Sequence, residues 1–146
     1  MPEDLISLTP DPLDVAGAIS FVSDPRAGGI AVFLGTTRAE RHPDGVDLIA
    51  LDYDAYPEMA AAQLRQLAAQ ARTRWPIIRL SLLHRTGRVP LAEPSVLVAV
   101  ATPHRADAFE ACRYLIDTLK AEAAIWKKEV WSDGTGTWVD PGRLKD

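Results

Sequence analysis

The chain has 146 residues, 47% hydrophobic and 25% charged, which is the composition of one soluble globular domain able to bury about two-thirds of its unfolded surface. A net charge of −4 gives no general basic field for duplex nucleic acid or an anionic membrane, and no apolar run approaches the length of a membrane span. With no signal peptide in evidence, a cytosolic protein is expected, one that binds neither nucleic acid nor membrane.

In chain order, Leu5 to Leu8 suit an edge strand. "TPDPLDVAGAISFVSDP" offers Asp11 as N-cap, Pro12 at the first helical position, and Val15, Ile19 and Val22 on one face, with a stop near Pro25. "GGIAVFLGTTR" is an apolar run between glycines and reads as a buried strand ending at Gly35, from which Thr36, Thr37 and Arg38 emerge. Arg38 is either an ordinary loop arginine or a binding group presented at a strand end. Pro43-Asp44-Gly45 signals a turn, and "VDLIALDYDAY" follows as a strand, so the two strands are expected to pair antiparallel across it. Tyr53 and Tyr56 near its end would either stack on a ligand or support packing.

Pro57 opens a second helix through Trp75, with Ala60, Leu64, Leu67, Ala68, Ala71 and Trp75 inward, closed before Pro76. "IIRLSLLHRTGRVP" and "SVLVAVATP" read as two further strands around a Gly-Pro-containing connection. Thr102 then suits an N-cap, with Pro103 at the first helical position and Asp107 at the positive end of the dipole. The free amides of that helix start, beside His104 and Arg105, form either a local cap with a solvated arginine or a site for phosphate or carboxylate.

Ala108, Phe109, Cys112, Leu115, Ile116, Leu119 and Ala123 keep the three-and-four spacing of a buried stripe. Lys120 falls at the edge of that stripe, where it is either a snorkelling lysine partnered by Asp117 or a partly desolvated amine of lowered pKa. "IWKKEVW" alternates like a strand, with Ile125, Lys127, Glu129 and Trp131 on one side and Trp126, Lys128 and Val130 on the other. "SDGTG" turns the chain toward Trp138, and Pro141 to Asp146 read as a polar tail. The order of elements gives an α+β fold in a single domain over residues 1–146.

Cys112, the single cysteine, excludes an intrachain disulfide and a cysteine-rich zinc site, and its place on the apolar stripe makes it a buried, inert thiol. His42, His84 and His104 are far apart in sequence with no HExxH-like pair, so no metal is expected, and nothing points to a cofactor.

"FLGTTR", "LDYDAYPEMA", "RWPIIRLSLLHRTGRVP", "HRADAFEA" and "LKAEAAIWKKE" occur in the order and at about the spacing found in the large, catalytic subunits of molybdopterin synthase, which the chain resembles from Gly29 to Trp138. Members often have Ser-Ala where this chain has Thr102 and Pro103, and proline where it has Ala124; neither change removes a group that could do chemistry. The resemblance implies an α/β hammerhead-like core with a small additional antiparallel β subdomain. It also implies a homodimer that forms a heterotetramer with two copies of a small ubiquitin-like sulfur-carrier subunit, whose C-terminal Gly-Gly thiocarboxylate supplies sulfur.

The implied substrate is cyclic pyranopterin monophosphate, converted to the dithiolene of molybdopterin, in a pocket that borrows groups from the second protomer. Carried onto this sequence, the substrate-contacting positions are Thr36, Thr37, Arg38, His104, Arg105, Lys128 and Glu129, with Lys120 and Lys127 as the catalytic pair. Carrier docking is expected near the hairpin of Trp126, Trp131 and Trp138. A non-catalytic module that binds a phosphorylated metabolite and a phosphoesterase that needs no carrier remain the alternatives. The missing metal-ligand clusters and Ser-His-Asp spacing argue against the phosphoesterase.

Overall fold

A computed structural model describes residues 3–139. The elements run β1 (Asp4–Thr9), α1 (Val15–Val22), β2 (Gly29–Thr36), β3 (Leu48–Ala55), α2 (Pro57–Arg74), β4 (Arg79–Arg85), β5 (Gly87–Pro90), β6 (Pro94–Thr102), α3 (Arg105–Glu122), β7 (Ile125–Trp131) and β8 (Gly136–Trp138). Among the described residues they build an α+β fold of three helices and two four-stranded sheets, ordered β1-β4-β6-β2 and β5-β3-β7-β8. The β1–β4 pair is parallel and every other pairing is antiparallel.

Helices cover both faces of the first sheet, which is why β6 reads as an unbroken apolar run and not as an alternating one. On one face, α2 and α3 pack Leu64, Leu67, Cys112, Leu115 and Leu119 against Leu80, Leu82, Val98 and Val100. On the other, α1 sets Ala18 and Val22 against Leu83, Leu97, Ala99 and Ala101. Full burial of a leucine such as Leu115 contributes roughly 2 kcal/mol, so this sandwich is the main source of rigidity beneath the site. The second sheet has a smaller core of Leu48, Leu51 and Trp131.

Helix α1 packs on β4 and β6, and Ile30, Val32 and Leu34 on β2 are left 41%, 40% and 37% exposed. Among the described residues the outer edge of β2 has no strand partner, so an apolar stripe and a row of backbone hydrogen-bonding groups lie open together.

Four expectations from the sequence are corrected. The turn at Pro43 to Gly45 forms, with Gly45 at φ 89° and its amide bonded to the His42 carbonyl, but β2 and β3 do not pair across it. They enter different sheets, because β2 finds its partner in β6 and β3 lies between β5 and β7. The first helix is capped by Asp14, whose side chain accepts from the Gly17 amide at 3.0 Å, and not by Asp11. The third helix begins at Arg105 with His104 as N-cap. Thr102 is held in β6 by register with Gly29, and its hydroxyl donates to the His104 carbonyl at 2.6 Å. Phe109 is exposed, since the face of α3 against the sheet is filled by Ala108, Ala111, Cys112, Leu115, Ile116 and Leu119. The tail from Pro141 to Asp146 lies outside the described residues.

A candidate active-site cleft between the two sheets

The two sheets meet along a cleft of about 930 Å³. Its first wall is the end of β2, where the register with β6 shifts between Gly35 and Thr36. Gly35 is required there because a β-carbon would collide with Val96 of the neighbouring strand. Past this bulge Thr36 and Arg38 line the cleft and Thr37 turns away from it. Thr37 is buried; its hydroxyl donates to the Val89 carbonyl at 3.3 Å and its carbonyl accepts from the Ala92 amide at 2.8 Å. Thr37 is thus the peg that fixes the direction of its neighbours.

The opposite wall is the second sheet. Residues directly opposed in an antiparallel pair share a face, and the register opposes Tyr53 to Lys127 and Leu51 to Glu129. All four line the cleft, as do Trp131 and, from β8, Thr137. Lys128 is opposed to Asp52 and sits on the other face, its Nζ 5.7 Å from the ring centroid of Trp138. The alternation expected for "IWKKEVW" therefore holds, and it separates Lys127 and Glu129 from Lys128.

Lys120 enters from the last turn of α3, beside Leu119, and also lines the cleft. The loop after β2 adds Glu40, Arg41 and His42, the last with its ring edge-on to Trp131 at 5.3 Å. Four cations (Arg38, Arg41, Lys120 and Lys127) thus face two carboxylates (Glu40 and Glu129), a balance suited to an anion.

His84 of β4, in the first sheet, also lines the cleft; it is 4% exposed, and its Nδ1 lies 2.8 Å from the Arg85 carbonyl. Burial is the main cause that pushes the imidazole from 6.5 down to about 4; the charge of Lys120 adds to it and the Arg85 carbonyl opposes it. Unfolded histidine takes a proton near 6.5 and the folded one not until about 4, so the unfolded state binds more protons in between and stability falls as pH drops through that window. At 1.36 kcal/mol per pH unit, the gap from 6.5 to 4 amounts to about 3 kcal/mol, lost in full below pH 4. Urea midpoints at pH 7 and pH 4.5 should fall less in His84→Gln than in the parent chain; equal falls would remove His84 as the source.

His104 and Arg105 are elsewhere. They stand where β6 passes into α3, beside the Gly29 end of β2; a β-carbon on Gly29 would meet the Arg105 backbone. Fifteen helical residues separate Arg105 from Lys120, about 22 Å at 1.5 Å per residue. A single chain therefore presents Thr36, Arg38, Lys120, Lys127 and Glu129 together, with His104 and Arg105 at the far end of the same strands.

The thiol of Cys112 faces the core, its Sγ 3.8 Å from the Val98 carbonyl, and burial pushes its pKa up to about 11. At neutral pH it is no nucleophile. Sequence reasoning missed Glu40, Arg41 and His42, hidden in what read as a turn, and it missed His84 and Ser95 as cleft residues.

A cationic cleft assembled from both sheets, with the thiol of Cys112 buried in the core and away from it, is suited to an anionic ligand. The chain belongs to the MoaE protein family, which it matches over residues 8–122. It is 43% identical over 141 residues to a molybdopterin synthase catalytic subunit from Nostoc sp., covering 96% of this chain and 84% of that one. The molybdopterin synthase structure from Staphylococcus aureus superposes with a TM-score of 0.84 at 33% identity, covering 96% of this chain and 98% of that one. A chain from the Helicobacter pylori complex of subunits 1 and 2 of molybdopterin-converting factor has a TM-score of 0.75 over 95% of this chain and 91% of its own; at 20% identity that likeness concerns the fold alone. Family membership places this enzyme in molybdopterin formation.

Proposed function

We propose that the chain is the catalytic subunit of a molybdopterin synthase. In this reading it converts cyclic pyranopterin monophosphate to molybdopterin with sulfur from the C-terminal thiocarboxylate of a small carrier subunit, in the cytosol. The observation that carries the reading is the convergence of Arg38, Lys120 and Lys127 from three separate elements on one cleft, while Cys112 is sealed away from it. Each transfer exchanges sulfur for oxygen. A C–S bond forms on the substrate side chain as a C–O bond there breaks and its oxygen leaves, and water then adds to the acyl carbon and cleaves the acyl C–S bond, so the carrier departs as a carboxylate and two carriers supply the dithiolene with no net change in oxidation.

Lys120 donates and accepts the protons that move as oxygen leaves and sulfur arrives. Arg38 holds the phosphate, Lys127 and Glu129 orient the thiocarboxylate and substrate, and Thr36 supplies a hydroxyl at the strand end. Thr37 and Lys128 act from outside the cleft, the first by fixing Arg38 and the second on the outer face of the hairpin. There, exposed Trp126 and Trp138 support a docking surface for the carrier, whereas Trp131 belongs to the core. Because Thr137 and Val139 line the cleft and Trp138 faces outward, one hairpin would both dock the carrier and admit its Gly-Gly tail.

His104 and Arg105 reach such a cleft if the enzyme is a homodimer joined along β2. A two-fold axis at the middle of that strand, between Val32 and Phe33, sets two β2 edges antiparallel and covers Ile30, Val32 and Leu34. The same operation brings the Gly29 end of one protomer, with its His104 and Arg105, beside the Thr36 end of the other. Two carriers on this dimer make the heterotetramer. The first sheet and its helices would be the hammerhead-like core and the second sheet the added β subdomain.

Purified chain incubated with a thiocarboxylated carrier and cyclic pyranopterin monophosphate should yield the dithiolene product. Substrate binding without product, from a folded sample, would replace this reading with a binding module.

A further inference from the structure

His84 sits on β4, an inner strand, where an imidazole loses its hydration unless its polar atoms are satisfied. Its ring is fixed from several sides. A carbonyl only accepts, so the 2.8 Å contact to Arg85 places the ring proton on Nδ1 and leaves the lone pair on Nε2. The Tyr53 ring lies edge-on at 5.0 Å, and Tyr53 is itself anchored: its hydroxyl donates to Ser95 Oγ at 3.2 Å, and Ser95 donates to the Gly35 carbonyl at 3.2 Å. That chain ties β3 of one sheet to β6 and β2 of the other beneath the cleft.

The charge of Lys120 reaches this imidazole. The other ionisable groups of the cleft are Lys127 and Glu129 on β7, Tyr53 on β3, and Arg38, Glu40, Arg41 and His42 on the loop after β2. In a cleft that carries four cations, a neutral ring with a lone pair on Nε2 offers an uncharged acceptor for an amine N–H.

We propose that His84 is the positioning residue for Lys120: its Nε2 accepts a hydrogen bond from the Lys120 amine and aims that amine at the reacting carbons. The inference rests on the role given to Lys120 above. With Nδ1 committed to the carbonyl, the ring offers the amine an acceptor and no competing donor. A flexible four-carbon side chain is thereby held in one orientation through the transfer, and misplacement by about 1 Å commonly costs on the order of a hundredfold in rate.

Two substitutions separate this role from a structural one. His84→Asn keeps a donor for the Arg85 carbonyl and removes the distal acceptor, whereas His84→Gln places an amide near the position of Nε2. Product formation with the thiocarboxylated carrier should show kcat reduced on the order of tenfold to a hundredfold in His84→Asn, with KM little changed. His84→Gln should recover most of that loss. Wild-type kcat in His84→Asn, or an equal loss in a folded His84→Gln, would overturn the proposal while leaving carrier-dependent product formation by the parent chain intact.

A measurement free of any change at position 84 uses the 15N resonances of His84 in the intact chain. Nδ1 should show the protonated shift, and the Nε2 shift should move toward that of an unbonded imidazole nitrogen in Lys120→Met. No movement on that substitution would equally overturn the proposal.

Discussion

Lys120→Ala is expected to lower molybdopterin formation by the chain and its carrier by on the order of a hundredfold to ten-thousandfold, the span usual for loss of a positioned acid/base group. Lys120 sits in the last turn of α3, between a buried Leu119 and the cleft, so its amine is delivered by a helix whose other face is locked into the core. Alanine is the best helix former, and the substitution removes no buried apolar contact of that core, so the fold should persist. The loss should appear in kcat, with KM changed by no more than a few fold, because in the proposed dimer Arg38 and the partner's cations would still hold the phosphate. Single-turnover assays with saturating carrier would show it; an unchanged rate would remove Lys120 from the chemistry.

The second large effect is expected at the other end of the fold. Arg105→Ala should weaken substrate binding about tenfold to a hundredfold, since a charge-assisted hydrogen bond to phosphate contributes roughly 1.5–3 kcal/mol. Arg105 is exposed and opens α3, where the first free amides and the dipole add to its attraction for an anion. Titration calorimetry with cyclic pyranopterin monophosphate reads the effect directly. An unchanged Kd would leave Arg105 outside the phosphate site.

Both predictions rest on positions legible in the sequence to different degrees. The apolar spacing of α2 and α3, Pro57 at a helix start and the glycine-bounded run of β2 carry local signals, and the structure keeps them. The period-two pattern of "IWKKEVW" gave the faces of Lys127 and Glu129 correctly, because sheet pleating is local. Pairing is not local. Nothing near Pro43 to Gly45 announces that β2 will prefer β6, some 60 residues away, over β3 just past the turn.

The start of the third helix differs from its expected place for a related reason. Thr102 has the chemistry of a cap, but its backbone belongs to a sheet that extends to Gly29. His84 was invisible because one histidine in an apolar strand looks the same whether it fills a core or lines a cleft. The separation of Arg105 from Lys120 could not be read from their spacing of fifteen residues until α3 proved to run unbroken from one end of the sheet to the other.

That separation puts the dimer at the centre, and mixing the two variants, assayed at substrate well below the weakened Kd of Arg105→Ala so that both are nearly silent alone, tests it. If Arg105 serves the partner's cleft, a heterodimer of Lys120→Ala and Arg105→Ala holds one cleft with both defects and one with neither. Random reassortment of equal amounts makes half the dimers mixed, so the mixture should recover about a quarter of wild-type carrier-dependent product formation. Activity no higher than the mean of the two separate variants, in a sample shown by native mass spectrometry to contain the mixed dimer, would contradict a cleft completed across the two-fold axis.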